Sequence, residues 1–256
     1  MEDIPENLKD LMNMRDRDLR SRGLFVAEGR LLVSRAVSAS FEVLAIVADG
    51  AAGEEARSLA GSSIPLSVLD QDAIDAVAGF QFHRGMFAFV RRPEFSSASS
   101  SDIPDGHVLV LPEITDPGNL GTLLRSALAF GFTTVYLGRR SCDPWNRKCL
   151  RASMGAAFAL RLREAESADL GRLADRGFTV LAAALETDAI TSGEPLPYGQ
   201  GRVALVLGNE YSGIPAEWRE ACDRAIQIPV SGAVDSLNVA VAGSILMRDL
   251  CRPGLH

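Results

Sequence analysis

Lysine is nearly absent from this chain of 256 residues: only Lys9 and Lys148 occur among 26 basic side chains, so the other 24 are arginine. Phosphate recognition would favour such a bias, although genome composition is the simpler account of it. Histidine is confined to His83, His107 and His256, none of them three or four residues from another histidine or a cysteine. A bound metal and a histidine-based triad are therefore unsupported. Cys142, Cys149, Cys222 and Cys251 show no C-x-x-C pairing, which argues against a zinc knuckle or a disulfide scaffold and predicts free thiols. No apolar run approaches the roughly 20 residues needed to span a bilayer. The opening Met1-Glu2-Asp3-Ile4-Pro5-Glu6 is acidic rather than apolar, so neither export nor membrane insertion is expected and a cytoplasmic protein is. The phosphate and nucleotide cradles G-x-x-x-x-G-K-[ST] and G-x-G-x-x-G are missing, as is the G-x-S-x-G elbow; Gly199-x-Gly201 is followed by Ala204 where a third glycine would be needed. A formal net charge of −7 argues against a protein that coats nucleic acid by bulk attraction, while leaving room for a local basic site.

What is present is an ordinary folded composition, 47% apolar and 23% charged, in a chain long enough for one large domain or two smaller ones. The serine-rich stretch Glu94 to Gly106, EFSSASSSDIPDG, is the clearest break and reads as a linker between a first domain over 1–93 and a second over 107–256. Before it, apolar runs at Phe41 to Val47, Pro65 to Leu69 and Met86 to Val90 alternate with helical patterns, predicting a small α/β domain. After it, HVLVLPEI, TTVYLG, GFTVLAAAL, RVALVLG and RAIQIPV are strand-like runs separated by helix-like stretches such as Asn119 to Phe130 and Leu170 to Arg176. Continuous apolar strands between helices imply a mostly parallel sheet covered on both faces. Arg15, Arg17, Arg20, Arg22, Arg30 and Arg35 crowd one stretch, interrupted by Asp16, Asp18 and Glu28; a solvated, ion-paired helix face and an RNA-facing surface both fit it.

Three glycine-punctuated loops follow apolar strands. In LVLPEITDPGNLGTLLR, a strand runs through a Pro-Gly turn into a helix that Asn119 could cap, with Arg125 six residues on. In VALVLGNEYSGIP, Gly208, Asn209 and Glu210 stand just past a strand end, where open α/β sheets bind ligands; helix capping is the plainer use of Glu210. In AIQIPVSGAVDSLNVAVA, Ser236-Leu237-Asn238 opens an apolar helix reaching Leu250, with Ser236 as the expected N-cap.

Together NLGTLLRSALAFGF, LVLGNEYSGIP and IPVSGAVDSLNVAVA resemble, in order, the three motifs of the SpoU/TrmH family of RNA ribose 2′-O-methyltransferases, within the SPOUT superfamily. Arg151-Ala-Ser-Met-Gly155 is similar to a further segment of that family, and LFVAEGRLLVSRAV with FHRGMFAFVRRP resembles its ribosomal-protein-like RNA-binding domain. Two departures stand out: Val230 where methionine is common, and Phe82-His83-Arg84-Gly85 in place of proline-glutamine-glycine.

The resemblance implies an α/β fold with a smaller first domain and a second, mostly parallel domain tied in a trefoil knot. Its implied cofactor is S-adenosylmethionine, held through Leu207, Gly208, Ile228 and Leu237. It implies Arg125 as the catalytic arginine, Asn119 and Glu210 shaping its surroundings, and Ser236 and Asn238 beside the methyl group and the ribose. Arg125 would either accept the ribose proton with a substrate phosphate assisting its removal, or fix that phosphate and stabilise the alkoxide; an isolated guanidinium stays protonated and is a poor base. Arg15, Arg22, Arg30 and Arg151 are the candidate RNA contacts. A homodimer without metal is expected, acting on ribosomal RNA in preference to transfer RNA. The alternatives are a transfer-RNA ribose methyltransferase, an antibiotic-resistance methylase of ribosomal RNA, and a catalytically silent RNA-binding scaffold.

Overall fold

A computed structural model describes residues 15–78, 81–98, 104–186, 188–193, 201–209, 211–231 and 236–251. The chain divides into two compact units: the residues up to Glu94 together with Trp145–Phe158, and Phe95–Pro144 together with the chain from Ala159 onward. The break after Glu94 falls at the start of the serine-rich stretch. The attachment of Trp145–Phe158 to the first unit differs from the sequence reading, which left that segment in the second domain.

The first unit is a four-stranded sheet in the order β1 (Leu24–Glu28), β4 (Met86–Arg91), β2 (Val43–Asp49), β3 (Leu66–Leu69). β4 runs antiparallel to β1 and β2, and β2 is parallel to β3. Leu24, Val26, Val47, Phe87 and Phe89 belong to one buried cluster. All five β1 residues are buried, because the segment Trp145–Phe158 covers the other side: Phe25 stacks on Trp145 at 5.1 Å and on Phe158 at 6.0 Å, and Phe41 meets both edge-on. Charge fastens the same joint. Glu28 is 6% exposed at the end of β1, and Arg151 approaches its carboxylate at 2.8 Å, Arg147 at 3.5 Å and Arg84 at 3.9 Å. Burying a lone carboxylate costs several kcal/mol, so the guanidiniums are what allow it to sit there.

The second unit is a sheet in the order β10 (Ile190–Thr191), β12 (Arg224–Gln227), β9 (Phe178–Ala183), β11 (Arg202–Val206), β6 (Val108–Leu111), β7 (Thr134–Leu137), β8 (Arg161–Glu164), β5 (Ser96–Ser97). Every pairing among its described residues is parallel. β6 and β7 are buried at all four positions and β11 at four of five, as strands covered on both faces must be. The order reverses at β6: the chain moves through β7 to β8, then crosses over to β9, β11 and β12 on the other side. Ser96 and Ser97, expected in the linker, form an edge strand on β8; residues 99–103 of that stretch lie outside the described ones.

Two helices stand over this reversal. Pro117–Ala129 and Val239–Leu250 run parallel, joined near their starts by Asn238 Nδ2 donating to Asn119 Oδ1 at 3.1 Å and midway by Ser126 Oγ and Ser244 Oγ at 2.7 Å. Beyond their last residues Cys251 Sγ donates to the Phe130 carbonyl at 2.7 Å. Gly243 makes the approach possible: a Cβ there would lie 2.5 Å from side-chain carbons of both Leu123 and Leu207.

Candidate cofactor cavity and catalytic loops

Beyond the carboxyl ends of β9, β11 and β12 lies a cavity of about 360 Å³ whose walls include Leu185, Leu207, Gly208, Ile228, Leu237 and Leu246. Ligands of open α/β sheets bind at such strand ends, beside the reversal in strand order. The four residues expected to hold a cofactor, Leu207, Gly208, Ile228 and Leu237, come together here, with Ser236 on the rim. Leu207 is fixed by its N–H donating to the Val110 carbonyl at 3.0 Å. Gly208 is packed so closely on the returning backbone that a Cβ would sit 2.3 Å from the Gly213 carbonyl carbon. Glycine there is a steric requirement of the turn.

That turn is braced. Asn209 and Gly213 exchange two backbone hydrogen bonds of 2.9 Å, and Asn209 Oδ1 accepts from the Tyr211 N–H at 2.9 Å. Asn209 Nδ2 lies 3.3 Å from both the Glu113 carbonyl and Thr115 Oγ1, tying the loop after β11 to the loop after β6. Glu210 lies outside the described residues.

The caps differ from expectation. Asp116, not Asn119, caps the Pro117–Ala129 helix by accepting from the Asn119 N–H at 2.9 Å, with proline in the first turn; the Asp-Pro pair carries that signal in the sequence. Asn119 is thereby freed to meet Asn238. Asn238, not Ser236, caps the last helix, its Oδ1 accepting from Ala240 and Val241; Ser236 stays exposed. Arg125 is exposed in the third turn of its helix, one turn later than expected, and makes no hydrogen bond or ion pair with a described residue. At about 100° per residue it projects roughly 120° around the helix from Asn119. It is not among the cavity's lining residues, so within one chain the structure does not gather Arg125 with the cofactor residues.

In the first unit Arg15 and Arg22 are exposed. Arg30 pairs with Glu55 at 3.1 Å and Arg151 with Glu28. Arg84 and Arg147, which share Glu28, were not singled out in the sequence because the carboxylate that assembles them is distant along the chain. Burial pushes the Cys222 thiol up to about 11 and raises that of Cys251, so neither of these two is poised for nucleophilic work. His107 is part-buried, its Nδ1 accepting from the Val203 N–H at 3.0 Å and its ring 5.1 Å from that of Phe132; burial lowers its pKa. Among the described residues no His, Cys, Asp or Glu cluster suits a metal, and no helix is long and apolar enough to cross a membrane.

Comparison with known proteins agrees with this architecture. Residues 106–248 match the SpoU rRNA Methylase family. An uncharacterised tRNA/rRNA methyltransferase of Mycobacterium bovis is 31% identical over 239 residues, 92% of this chain and 83% of the relative. The 23S rRNA (guanosine(2553)-2′-O)-methyltransferase of Bacillus subtilis is 30% identical over 249 residues, 96% of each chain. An AdoMet-bound rRNA methyltransferase from Sinorhizobium meliloti superposes with a TM-score of 0.81 at 24% identity, covering 93% of this chain and 90% of the other, and so shares the fold. The chain belongs to the SpoU methylase family of RNA methyltransferases.

Proposed function

We propose that this methyltransferase carries the methyl group of S-adenosylmethionine to a ribose 2′-hydroxyl of ribosomal RNA. The observation that carries the reading is the glycine-shaped cavity beyond β9, β11 and β12, adjoining the loop that Asn209 ties to the start of the Pro117–Ala129 helix. Its walls suit the cofactor: Leu207, Ile228, Leu237 and Leu246 offer apolar surface to an adenine ring, and the backbone at Leu207 and Gly208 offers polar groups at its edge. Bound S-adenosylmethionine supplies an electrophilic methyl group on a sulfonium. The protein's own residues then act chiefly by positioning. Asn119 and Asn238, hydrogen-bonded to each other where two helices begin, hold the ribose side of the site, with Ser236 on the cavity rim. Arg125, exposed and without a partner among the described residues, clamps a substrate phosphate and stabilises the alkoxide that forms as the hydroxyl proton leaves. Glu210, outside the described residues, keeps in this reading the role that the motif resemblance gives it, shaping the surroundings of Arg125.

Ribosomal RNA is favoured by the Bacillus subtilis relative, aligned over nearly the full length of both chains. The first unit is the RNA-binding part in this reading, with Arg15 and Arg22 exposed and without an ion-pair partner among the described residues, and Arg30 and Arg151 paired. A homodimer is supported by Val241, 49% exposed on the last helix near Asn238. The test is transfer of tritium from labelled S-adenosylmethionine to ribosomal and transfer RNA pools, followed by nucleoside analysis. Label on a ribose of ribosomal RNA is expected. Label on transfer RNA alone would move the substrate, and cofactor binding without transfer to any RNA, including ribosome assembly intermediates, would favour a silent scaffold.

A further inference from the structure

Tyr211 is 97% exposed, far more than any other large apolar side chain among the described residues; the next, Leu185, is 60% exposed. A ring left in water does nothing for the fold. Yet its backbone is held: its N–H donates to Asn209 Oδ1, and the nearby Asn209 and Gly213 are paired through both their backbone groups. Gly208 is wedged against Gly213 and Ile214. A tyrosine has two side-chain torsions, so a ring on a braced turn loses little freedom when something lies on it. Its neighbours two residues away on either side, Asn209 and Gly213, both line the cofactor cavity.

Resting on the function proposed above, we propose that Tyr211 is a stacking platform for an unstacked base of the RNA substrate beside the methylated ribose. Specific RNA recognition mostly targets loops and bulges, where a nucleotide drawn into a cavity leaves neighbouring bases unstacked and able to lie on an aromatic side chain. An exposed aromatic face next to that cavity replaces the lost neighbour. It does so without reading the base edge, because every base has a π-face. The interaction is uncharged, which separates it from the arginine contacts to phosphate.

The test uses the full-length protein and its methylated RNA, comparing wild type, Tyr211→Ala and Tyr211→Phe. In Tyr211→Ala the Kd for RNA rises roughly ten- to a hundredfold, the range for loss of one stacked base. That factor is the same at low and high salt, since no counterion is released by the ring. Tyr211→Phe keeps near-wild-type affinity, and the affinity for S-adenosylmethionine and the Tm are the same in all three. Wild-type RNA affinity in the alanine variant overturns the assignment, as does a loss that phenylalanine fails to rescue. A fall in sedimentation coefficient in the alanine variant overturns it too, by placing the ring against a second copy of the chain. An inactive wild type would remove the functional reading and this inference with it, whereas an active wild type with an indifferent alanine variant removes this inference alone.

Discussion

Arg125 is an exposed guanidinium with no ion-pair partner among the described residues, as Arg15 and Arg22 are, and it differs from them in lying on the helix that Asp116 caps, six residues after Asn119. A guanidinium held for the protein's own stability is normally paired, as Arg151 is with Glu28. Arg125→Ala is therefore expected to leave the Kd for S-adenosylmethionine unchanged and to cut methyl transfer about 100- to 1,000-fold, the usual effect of losing one group that stabilises developing charge. Calorimetric titration with the cofactor, set beside single-turnover transfer, checks this; equal losses in both would remove Arg125 from the substrate side. His107 gives a pH prediction of known sign. Its folded pKa is lowered by burial, so as pH falls the unfolded chain takes up this proton first, near its ordinary value of about 6.5. The stability it contributes is present above that value and is lost as pH falls below it. The urea midpoint should drop between pH 7.5 and 5.5, and His107→Gln, whose amide oxygen can accept the Val203 N–H, should flatten that dependence. An unchanged slope in the variant would assign the effect elsewhere. The candidate residues were legible one by one from motif resemblance. The partnership of Asn119 with Asn238, 119 residues apart, was not, because no local pattern encodes it.

Among elements, the turn between Gly208 and Gly213 has its two ends packed backbone against backbone. In Gly208→Val the Cβ must displace backbone, not a side-chain tip, and overpacking of this kind costs about 1–3 kcal/mol. The expected result is a roughly tenfold or greater loss of affinity for S-adenosylmethionine by calorimetry, with the fold retained by circular dichroism; normal titration would show that the turn does not shape the cofactor site. Strands β6, β7, β9 and β11 were readable because parallel strands buried on both faces are continuous apolar runs, and β12, whose buried residues are Ala225 and Ile226, was readable through the longer stretch RAIQIPV. β8 was not, since Arg161, Arg163 and Glu164 make three of its four residues charged. β1 escaped because LFVAE runs directly into the Arg30–Ser38 helix, with only Gly29 between the two periods.

At the scale of the whole molecule, the composition changes near Glu94, where one stretch of the first unit ends, but nothing local marks the return of Trp145–Phe158 to that unit. It depends on Trp145 and Phe158 meeting Phe25 and Phe41, contacts that span more than a hundred residues. A fragment ending at Glu94 is expected to lack a cooperative thermal transition, for it exposes those rings and leaves Glu28 without Arg147 and Arg151. Adding residues 145–158 through a flexible linker should restore the transition, and a sharp transition in the unextended fragment would show that the segment is dispensable. The same arrangement governs how the protein is made. A ribosome that has finished the first unit's own sheet still has residues 95 to 158 to add, on the order of 3 to 13 seconds at roughly 5–20 residues per second. Until then the nascent chain carries an open aromatic surface and an under-neutralised carboxylate, so the first unit closes only after the opening stretch of the second, Phe95–Pro144, has been made.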